Sequence, residues 1–338
     1  MLKIYSNYDE NLYISYFKKT KGKQWKCNLD ADYKKAYASI HQLYPSLNIP
    51  DNIRDFLLLK PNALIHLFFE IKNRGILNIL EKKFIHSYTP KTGKNKGQQL
   101  TRVLFDYDSF EEDIAQFFCV SAPTLHLSTC YYCNMSYINT YTVENGDNSI
   151  TYKHFDIDHF IPQEKCSLFS LCLYNFVPAC SACNERIKRE NLIIDNGSET
   201  DLLQILPSYH NYSFHENIRF RIIPEKYMDN NFKNNKNFFH VRLCKAENAQ
   251  NYDNYNKEAI FFRIPERYDF HKQAFLTYID KKRMYTPECI KMMAKTLSAK
   301  HIFCNEKMLK EAIFNTEFRK QNERIFKLIY EDIDKIFE

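Results

Sequence analysis

The chain has 338 residues, of which 44% are hydrophobic, 15% aromatic and 26% charged, and its formal net charge is +6. This composition is typical of a globular protein, and the length suits two or three compact units with a sizeable core. The mildly basic charge permits a polyanionic partner but does not require one.

The start of the chain, MLKIYSNYDENLYISYFKK, has no basic leader followed by an apolar segment, and no run of eighteen apolar residues occurs. We therefore expect no signal peptide, no membrane span and a cytoplasmic location. Eleven cysteines without a secretion signal argue against a disulfide scaffold. In a reducing compartment, paired cysteines are more often metal ligands.

Residues 1–125 are predicted to form a mainly helical amino-terminal region. Leu64, Leu67, Phe68 and Ile71 recur at helical spacing, which indicates a helix with one face in the core. Such a region is a candidate for docking a partner.

Residues 126–200 have a different character. The segments SYINTYTV and SITYKHFDI are rich in strand-forming residues and are separated by ENGDN, whose Asn-Gly pair favours a turn, so we predict a hairpin. The segment FDIDHFIPQ is predicted to end the second strand, and NERIKREN to begin a helix.

Residues 201–338 are predicted to be mixed and then helical, which gives an α+β protein.

Two CxxC pairs, Cys130 with Cys133 and Cys180 with Cys183, bracket this central region. The spacing lets a tight knuckle present both sulfurs to one tetrahedral Zn²⁺, and four thiolates without an open position make a structural site. A disulfide pair or unrelated core thiols are the alternatives. The remaining cysteines lack a partner at ligand spacing and are predicted to be small core residues: Cys27, Cys119, Cys166, Cys172, Cys244, Cys289 and Cys304.

Between the knuckles lies a cluster of polar residues in an otherwise apolar, strand-forming run. Alternation along the strand predicts Asp156 and Asp158 on one face, with His159 at the strand end. A carboxylate that holds a hard cation, next to an imidazole that takes a proton from water, suits metal-assisted hydrolysis. Three roles are open for Asp156: a supporting carboxylate, an alternative metal ligand or a surface residue. His154 is interpreted as structural.

The combination of CxxC, Asp-His-x-x-Pro and Asn-x-x-Pro-x-Cys-x-x-Cys-Asn resembles the HNH endonuclease family, whose fold is a ββα-metal finger. FDIDHFIPQ is also similar to the HNH segment of RNA-guided CRISPR nucleases, which lack the cysteine knuckles. The match runs from about Leu125 to Asn191, a fifth of the chain.

The resemblance implies a role for each matching residue. His159 would be the general base that activates water, and Asp158 and Asn184 would bind the catalytic divalent ion. Asn175 would brace the loop that carries the histidine. Because the third signature position is asparagine rather than histidine, its neutral oxygen suits Mg²⁺ or Mn²⁺. The neighbouring basic residues Arg186, Lys188 and Arg189 would either contact phosphate or form a solvated helix face.

The resemblance also implies hydrolysis of DNA phosphodiester bonds. The flanking regions are similar in layout to the HNH subunits that bacterial antiphage systems of the Septu and retron types pair with an ATPase, so DNA and an ATPase subunit are the expected partners. A stand-alone restriction or homing endonuclease is one alternative. A non-catalytic, zinc-dependent nucleic-acid-binding protein is another, although such a module would need no Asp158–His159 pair.

Overall fold

The computed structural model of the chain describes residues 2–4, 8–18, 29–88, 100–145, 148–224, 239–300, 305–314 and 324–337. It contains two compact units: Met1–Tyr132 with Ile138–Tyr212, and Cys133–Tyr137 with Ser213–Glu338. Both combine helices with small antiparallel sheets, so the predicted α+β class is confirmed. The three-part division into 1–125, 126–200 and 201–338 stays a prediction.

The first unit consists of helices joined by short antiparallel strand pairs. Its helices are α1 Glu10–Lys18, α2 Leu29–Leu43, α3 Ile53–Leu57, α4 Pro61–Arg74, α5 Leu77–Lys83, α6 Glu111–Leu125 and α7 Glu199–Gln204. Its strands are β1 Ile85–Tyr88, β2 Leu100–Val103, β3 Asn139–Asn145, β4 Asn148–His154, β5 Asp156–His159 and β6 Phe176–Ala179. The pairs are β1 with β2, β3 with β4, and β5 with β6.

Helix α4 shows why the amino-terminal sequence is helical. Pro61 stands at its first turn, where a missing N–H costs nothing, and Gly75 ends it at φ 63°, a left-handed conformation that glycine adopts without strain. The predicted apolar face, which includes Leu64 and Ile71, is buried. The helical prediction for this segment is therefore confirmed.

Aromatic rings form much of the core of the first unit. Phe56 stacks on Phe105 with centroids 4.9 Å apart and on Phe169 at 6.1 Å. Tyr13 packs edge-on against Phe117 at 5.0 Å. Phe169 lies in the loop between β5 and β6, so this core supports the segment that carries the polar cluster.

The predicted hairpin is present as β3 and β4, which pair in register from Asn139 opposite His154. The prediction that FDIDHFIPQ ends its second strand is wrong. β4 stops at His154, and β5 begins at Asp156 and pairs with β6, with Asp158 opposite Val177. The break occurs because Phe155, Ile157 and the residues of β6 are all buried, so this run pairs inside the core, whereas much of β3 and β4 is exposed.

The second unit packs helices against one face of a hairpin. Its elements are α8 Phe214–Asn217, β7 Ile218–Pro224, β8 Phe239–Lys245, α9 Tyr252–Phe261, α10 Ile264–Phe270, α11 Lys272–Met284, α12 Pro287–Ala299, α13 Glu306–Phe314 and α14 Lys327–Asp334. Phe220 on β7 stacks on Tyr268 of α10 at 4.7 Å. Leu328 and Ile333 of α14 are buried in this unit.

None of the helices in the described ranges combines the length and the apolar character that crossing a bilayer requires.

Candidate functional site

The four knuckle cysteines converge. The Sγ atoms of Cys130, Cys133, Cys180 and Cys183 all lie within 4.8 Å of one another. Three of the four residues are fully buried and Cys180 is half-buried. The segments around them fold tightly: the Cys180 N–H donates to the Cys130 sulfur at 3.3 Å, and the Met135 N–H donates to the Cys133 sulfur at 3.4 Å.

This arrangement could hold a metal ion such as zinc. A tetrahedral Zn²⁺ with Zn–S bonds of about 2.3 Å places its sulfurs about 3.8 Å apart, which is within the spread of this cluster. Backbone N–H groups directed at the sulfurs favour the thiolate form that a metal needs. Four protein sulfurs leave no open position, so a metal here would be structural.

The other described cysteines do not join this cluster. Cys119, Cys166 and Cys172 are buried in agreement with their predicted core role, whereas Cys244 and Cys289 are only half-buried. Cys27 and Cys304 lie outside the described residues.

Pairing of β5 with β6 brings the predicted catalytic residues to one place. Asp158 and His159 lie on β5, 4% and 8% exposed, and Asn175 directly precedes β6 and is fully buried. The Asn175 side chain bonds to the loop that follows His159: Oδ1 accepts from the Ile161 N–H at 2.8 Å, and Nδ2 donates to the Ile161 and Phe169 carbonyls, each at 3.1 Å. Asn175 thus ties together both ends of the loop.

The hydrogen bonds of His159 assign its tautomer. Nε2 lies 2.9 Å from the carbonyl oxygen of Ser170, which can only accept, so Nε2 carries the proton of the neutral ring. Nδ1 then carries the lone pair, and the Gln163 amide nitrogen approaches it at 3.3 Å. The Tyr107 ring packs edge-on against the imidazole at 4.7 Å and Phe176 lies at 5.1 Å, which holds the ring in this orientation.

The pKa of His159 is lowered to about 4, mainly by burial; the bond to Ser170 opposes the shift, and the positive charge of Lys188 adds to it. The ring is therefore neutral near pH 7, with Nδ1 free of a proton. A neutral imidazole with a fixed lone pair is the form that a general base requires.

Asp158 is held by Tyr132, which the sequence analysis did not name, and by Lys188, which it named only as a basic residue next to the site. The Tyr132 hydroxyl donates to Asp158 Oδ2 at 2.6 Å, and the Lys188 ammonium lies 3.1 Å from both Asp158 oxygens. Lys188 also donates to the His159 carbonyl at 2.6 Å. Burial raises the pKa of Asp158, and the bonds from Lys188 and Tyr132 oppose that rise.

The interpretation of Lys188 as part of a solvated helix face is wrong, because its side chain is 0% exposed. The cause is the helix that carries it. Ala182–Lys188 is a π-helical segment, whose wider turn carries Lys188 toward β5. Arg186 and Arg189 on the same segment are exposed, so for them the alternatives of phosphate contact and solvated surface remain.

Asn184, the predicted second ligand, lies in the first turn of this segment. Its Nδ2 donates to Asp156 Oδ2 at 3.4 Å, and not to Asp158. This bond leaves the amide oxygen as a donor atom for a cation. Asp156 is half-buried on β5 and therefore supports Asn184.

Asp158, His159 and Asn184 line one pocket of about 450 Å³. Gln163 and Arg189 also line it, as do the carboxylates Glu164, Glu185 and Glu190. The Asp158 carboxylate accepts hydrogen bonds from the Tyr132 hydroxyl, the Lys188 ammonium and the His159 backbone N–H. Carboxylate oxygens and the Asn184 amide oxygen are hard donors in one pocket, so the residues present fit a divalent ion such as Mg²⁺.

Some of the residues that surround the site were missed for identifiable reasons. Tyr107 and Ser170 are distant in sequence and have no motif, whereas Tyr132 stands inside the first CxxC and Lys188 follows Asn184 by four residues. The positions of Tyr132 and Lys188 in the sequence therefore indicated that they lie near the site. His154, interpreted as structural, is exposed at the end of β4 and its Nδ1 lies 3.3 Å from Asn139 Oδ1.

No protein-family model, no curated protein and no solved structure matches this chain. The geometry of the two sites is therefore the basis for assigning a function.

Proposed function

We propose that the chain is a metal-dependent endonuclease of the HNH type that hydrolyses DNA phosphodiester bonds. The observation that carries the proposal is the state of His159: a neutral imidazole whose Nε2 is bonded to Ser170 and whose unprotonated Nδ1 faces the Gln163 amide nitrogen at 3.3 Å. A carboxylate and an amide oxygen line the same pocket, which is what hydrolysis assisted by one cation requires.

In the proposed reaction, His159 Nδ1 takes a proton from a water molecule as its oxygen attacks the scissile phosphorus. Asp158 and Asn184 would hold a Mg²⁺ or Mn²⁺ ion, which would stabilise the charge on the phosphate and on the leaving 3′ oxygen. Asn175 keeps the loop after His159 in place through its three backbone bonds. The exposed Arg189 at the pocket is placed to contact a phosphate of the bound strand.

The four-cysteine cluster would bind zinc as a structural ion. Cys180 directly follows β6, and Cys183 belongs to the segment that carries Asn184 and Lys188. Zinc bound to these sulfurs would fix the start of that segment relative to β6. A cluster of reduced thiolates fits a cytoplasmic protein.

The biological setting that we propose is bacterial antiphage defence together with an ATPase partner. Its support is the layout of the sequence alone: long flanking regions surround a small catalytic motif, and a net charge of +6 offers little general attraction to DNA. A stand-alone restriction or homing endonuclease is the alternative, since it would use the same residues for catalysis.

The test is the nicking and linearisation of plasmid DNA by the zinc-loaded full chain with added Mg²⁺. His159→Ala should lower cleavage by about 10² to 10⁴-fold, the usual contribution of a positioned general base. His154→Ala is the matched control, because His154 is a nearby histidine exposed outside the pocket, and its loss should leave the rate unchanged. Circular dichroism checks that both variants fold.

A folded His159→Ala protein that cuts at the wild-type rate would refute the proposed base. Binding of DNA without cleavage under any divalent ion, with or without the ATPase, would instead favour the non-catalytic zinc-dependent nucleic-acid-binding protein.

A further inference from the structure

We propose that the Lys188 ammonium is a resident counter-ion of Asp158 and competes with the divalent ion for this carboxylate. The inference rests on the proposed function, because it assigns the ion to Asp158. It adds a residue that limits how tightly the ion binds in the free protein.

The contacts of Lys188 leave it little freedom. Its side chain is 0% exposed, its Nζ lies 3.1 Å from both oxygens of Asp158, and it donates to the His159 carbonyl at 2.6 Å. The ammonium thus donates to two adjacent residues of β5, through the Asp158 carboxylate and the His159 carbonyl. A buried ammonium that is ion-paired and hydrogen-bonded is part of the folded interior and not a surface charge that swings away.

The charges at this point already balance. Asp158 is 4% exposed and carries one negative charge, which Lys188 compensates. A divalent ion that binds an oxygen of Asp158 therefore meets a positive charge a few ångströms away. The two cations repel each other, and the repulsion is stronger in a buried site than in water.

The competition has a functional consequence. The free protein keeps Asp158 ordered and compensated without a metal, but binds a divalent ion weakly. The carboxylates Glu164, Glu185 and Glu190 at the pocket offset part of the repulsion. A phosphodiester adds a negative charge next to the ion, so substrate and divalent ion should bind more tightly together than apart.

The test measures Mn²⁺ affinity by electron paramagnetic resonance, with the zinc-loaded full chain and no DNA. Lys188→Met keeps the length and apolar stem of the side chain and removes its charge, so the Mn²⁺ affinity should rise by about 10-fold or more. Arg186→Met is the matched control, because Arg186 lies exposed on the same helical segment and its replacement should leave the affinity unchanged. Asp158→Asn should abolish the weak Mn²⁺ site of the wild type, and the double variant with Lys188→Met should lack the tighter site of Lys188→Met.

A residue that only supports the fold would give the opposite result, since its loss would weaken Mn²⁺ binding together with stability. Unchanged or weaker Mn²⁺ binding by Lys188→Met overturns the proposal. If this variant unfolds without metal, millimolar Mn²⁺ should restore its melting transition, because the ion then replaces the missing charge beside Asp158. A variant that stays unfolded with Mn²⁺ also overturns the proposal.

The affinity measurement separates this inference from the proposed function. If the wild type cleaves DNA but Lys188→Met does not change the Mn²⁺ affinity, the proposed competition is refuted and the proposed nuclease activity is retained. If Lys188→Met binds Mn²⁺ more tightly but the wild type never cuts DNA, the competition is retained and the proposed nuclease activity is refuted.

Discussion

The Asn175 side chain and the Ile161 backbone are bonded to each other twice: the Ile161 N–H donates to Asn175 Oδ1 at 2.8 Å, and Asn175 Nδ2 donates to the Ile161 carbonyl at 3.1 Å. Asn175 donates as well to the Phe169 carbonyl, and its own carbonyl accepts from the Phe160 N–H. The loop after His159 is therefore closed by one side chain that is fully buried.

Asn175→Ala should destabilise the first unit by about 3 kcal/mol, because it leaves three buried backbone groups without their partner. Cleavage should fall as well, since the Ser170 carbonyl that orients His159 lies in the same loop. Urea unfolding followed by circular dichroism measures the loss. Asn139→Ala removes an exposed asparagine and serves as the control. Equal stability of the two variants would contradict the bracing role.

Zinc analysis by mass spectrometry should find about one zinc per chain in the purified protein, because four protein sulfurs fill one tetrahedral site. Cys180→Ser should lower both the zinc content and the melting temperature, since the metal contributes directly to the free energy of folding. Cys289→Ser is the control, because Cys289 is a half-buried cysteine outside the cluster. Well-folded, active protein without zinc would exclude the structural zinc site.

Acid should destabilise the protein through His159. Its folded-state pKa is about 4, below the ordinary value of 6.5, so the unfolded chain takes up a proton first. The stabilisation from the neutral ring is complete above pH 6.5 and is lost as the pH falls toward 4. Between pH 7 and pH 5 the wild type should lose about 2 kcal/mol that His159→Gln does not lose. The check is the free energy of unfolding of the wild type and of His159→Gln, each measured at both pH values. Equal losses in the two proteins would show that His159 titrates normally.

The chain alone should cut plasmid DNA weakly or without sequence preference, because the proposed enzyme works with an ATPase partner. Affinity capture of the tagged full chain from its native host, followed by mass spectrometry, should identify an ATPase that then raises cleavage when added back. Robust, site-specific cleavage by the purified chain alone would favour a restriction or homing endonuclease.

Local sequence was enough to predict the parts of the site that lie close together along the chain. The CxxC spacing predicted two knuckles, because two thiols separated by two residues can turn to one point. The sulfurs of both knuckles do converge in the fold. The Asn-Gly turn predicted the β3–β4 hairpin for the same reason: its ladder joins neighbours in sequence. Polar residues within an apolar run were sufficient to identify Asp158 and His159 as candidates for catalysis.

Tertiary structure decided the contacts that set the chemistry of those residues. Pairing of β5 with β6 follows from burial of both strands in one core, which the spacing of His159 and Phe176 does not specify. The Ser170 carbonyl that sets the His159 tautomer comes from a loop without a motif. Lys188 reaches Asp158 because the helical segment has a π turn, and a helix type depends on what the helix packs against and not on its sequence alone. Sequence thus determined which groups are present, while the folded core determined which atoms face each other and how their charges balance.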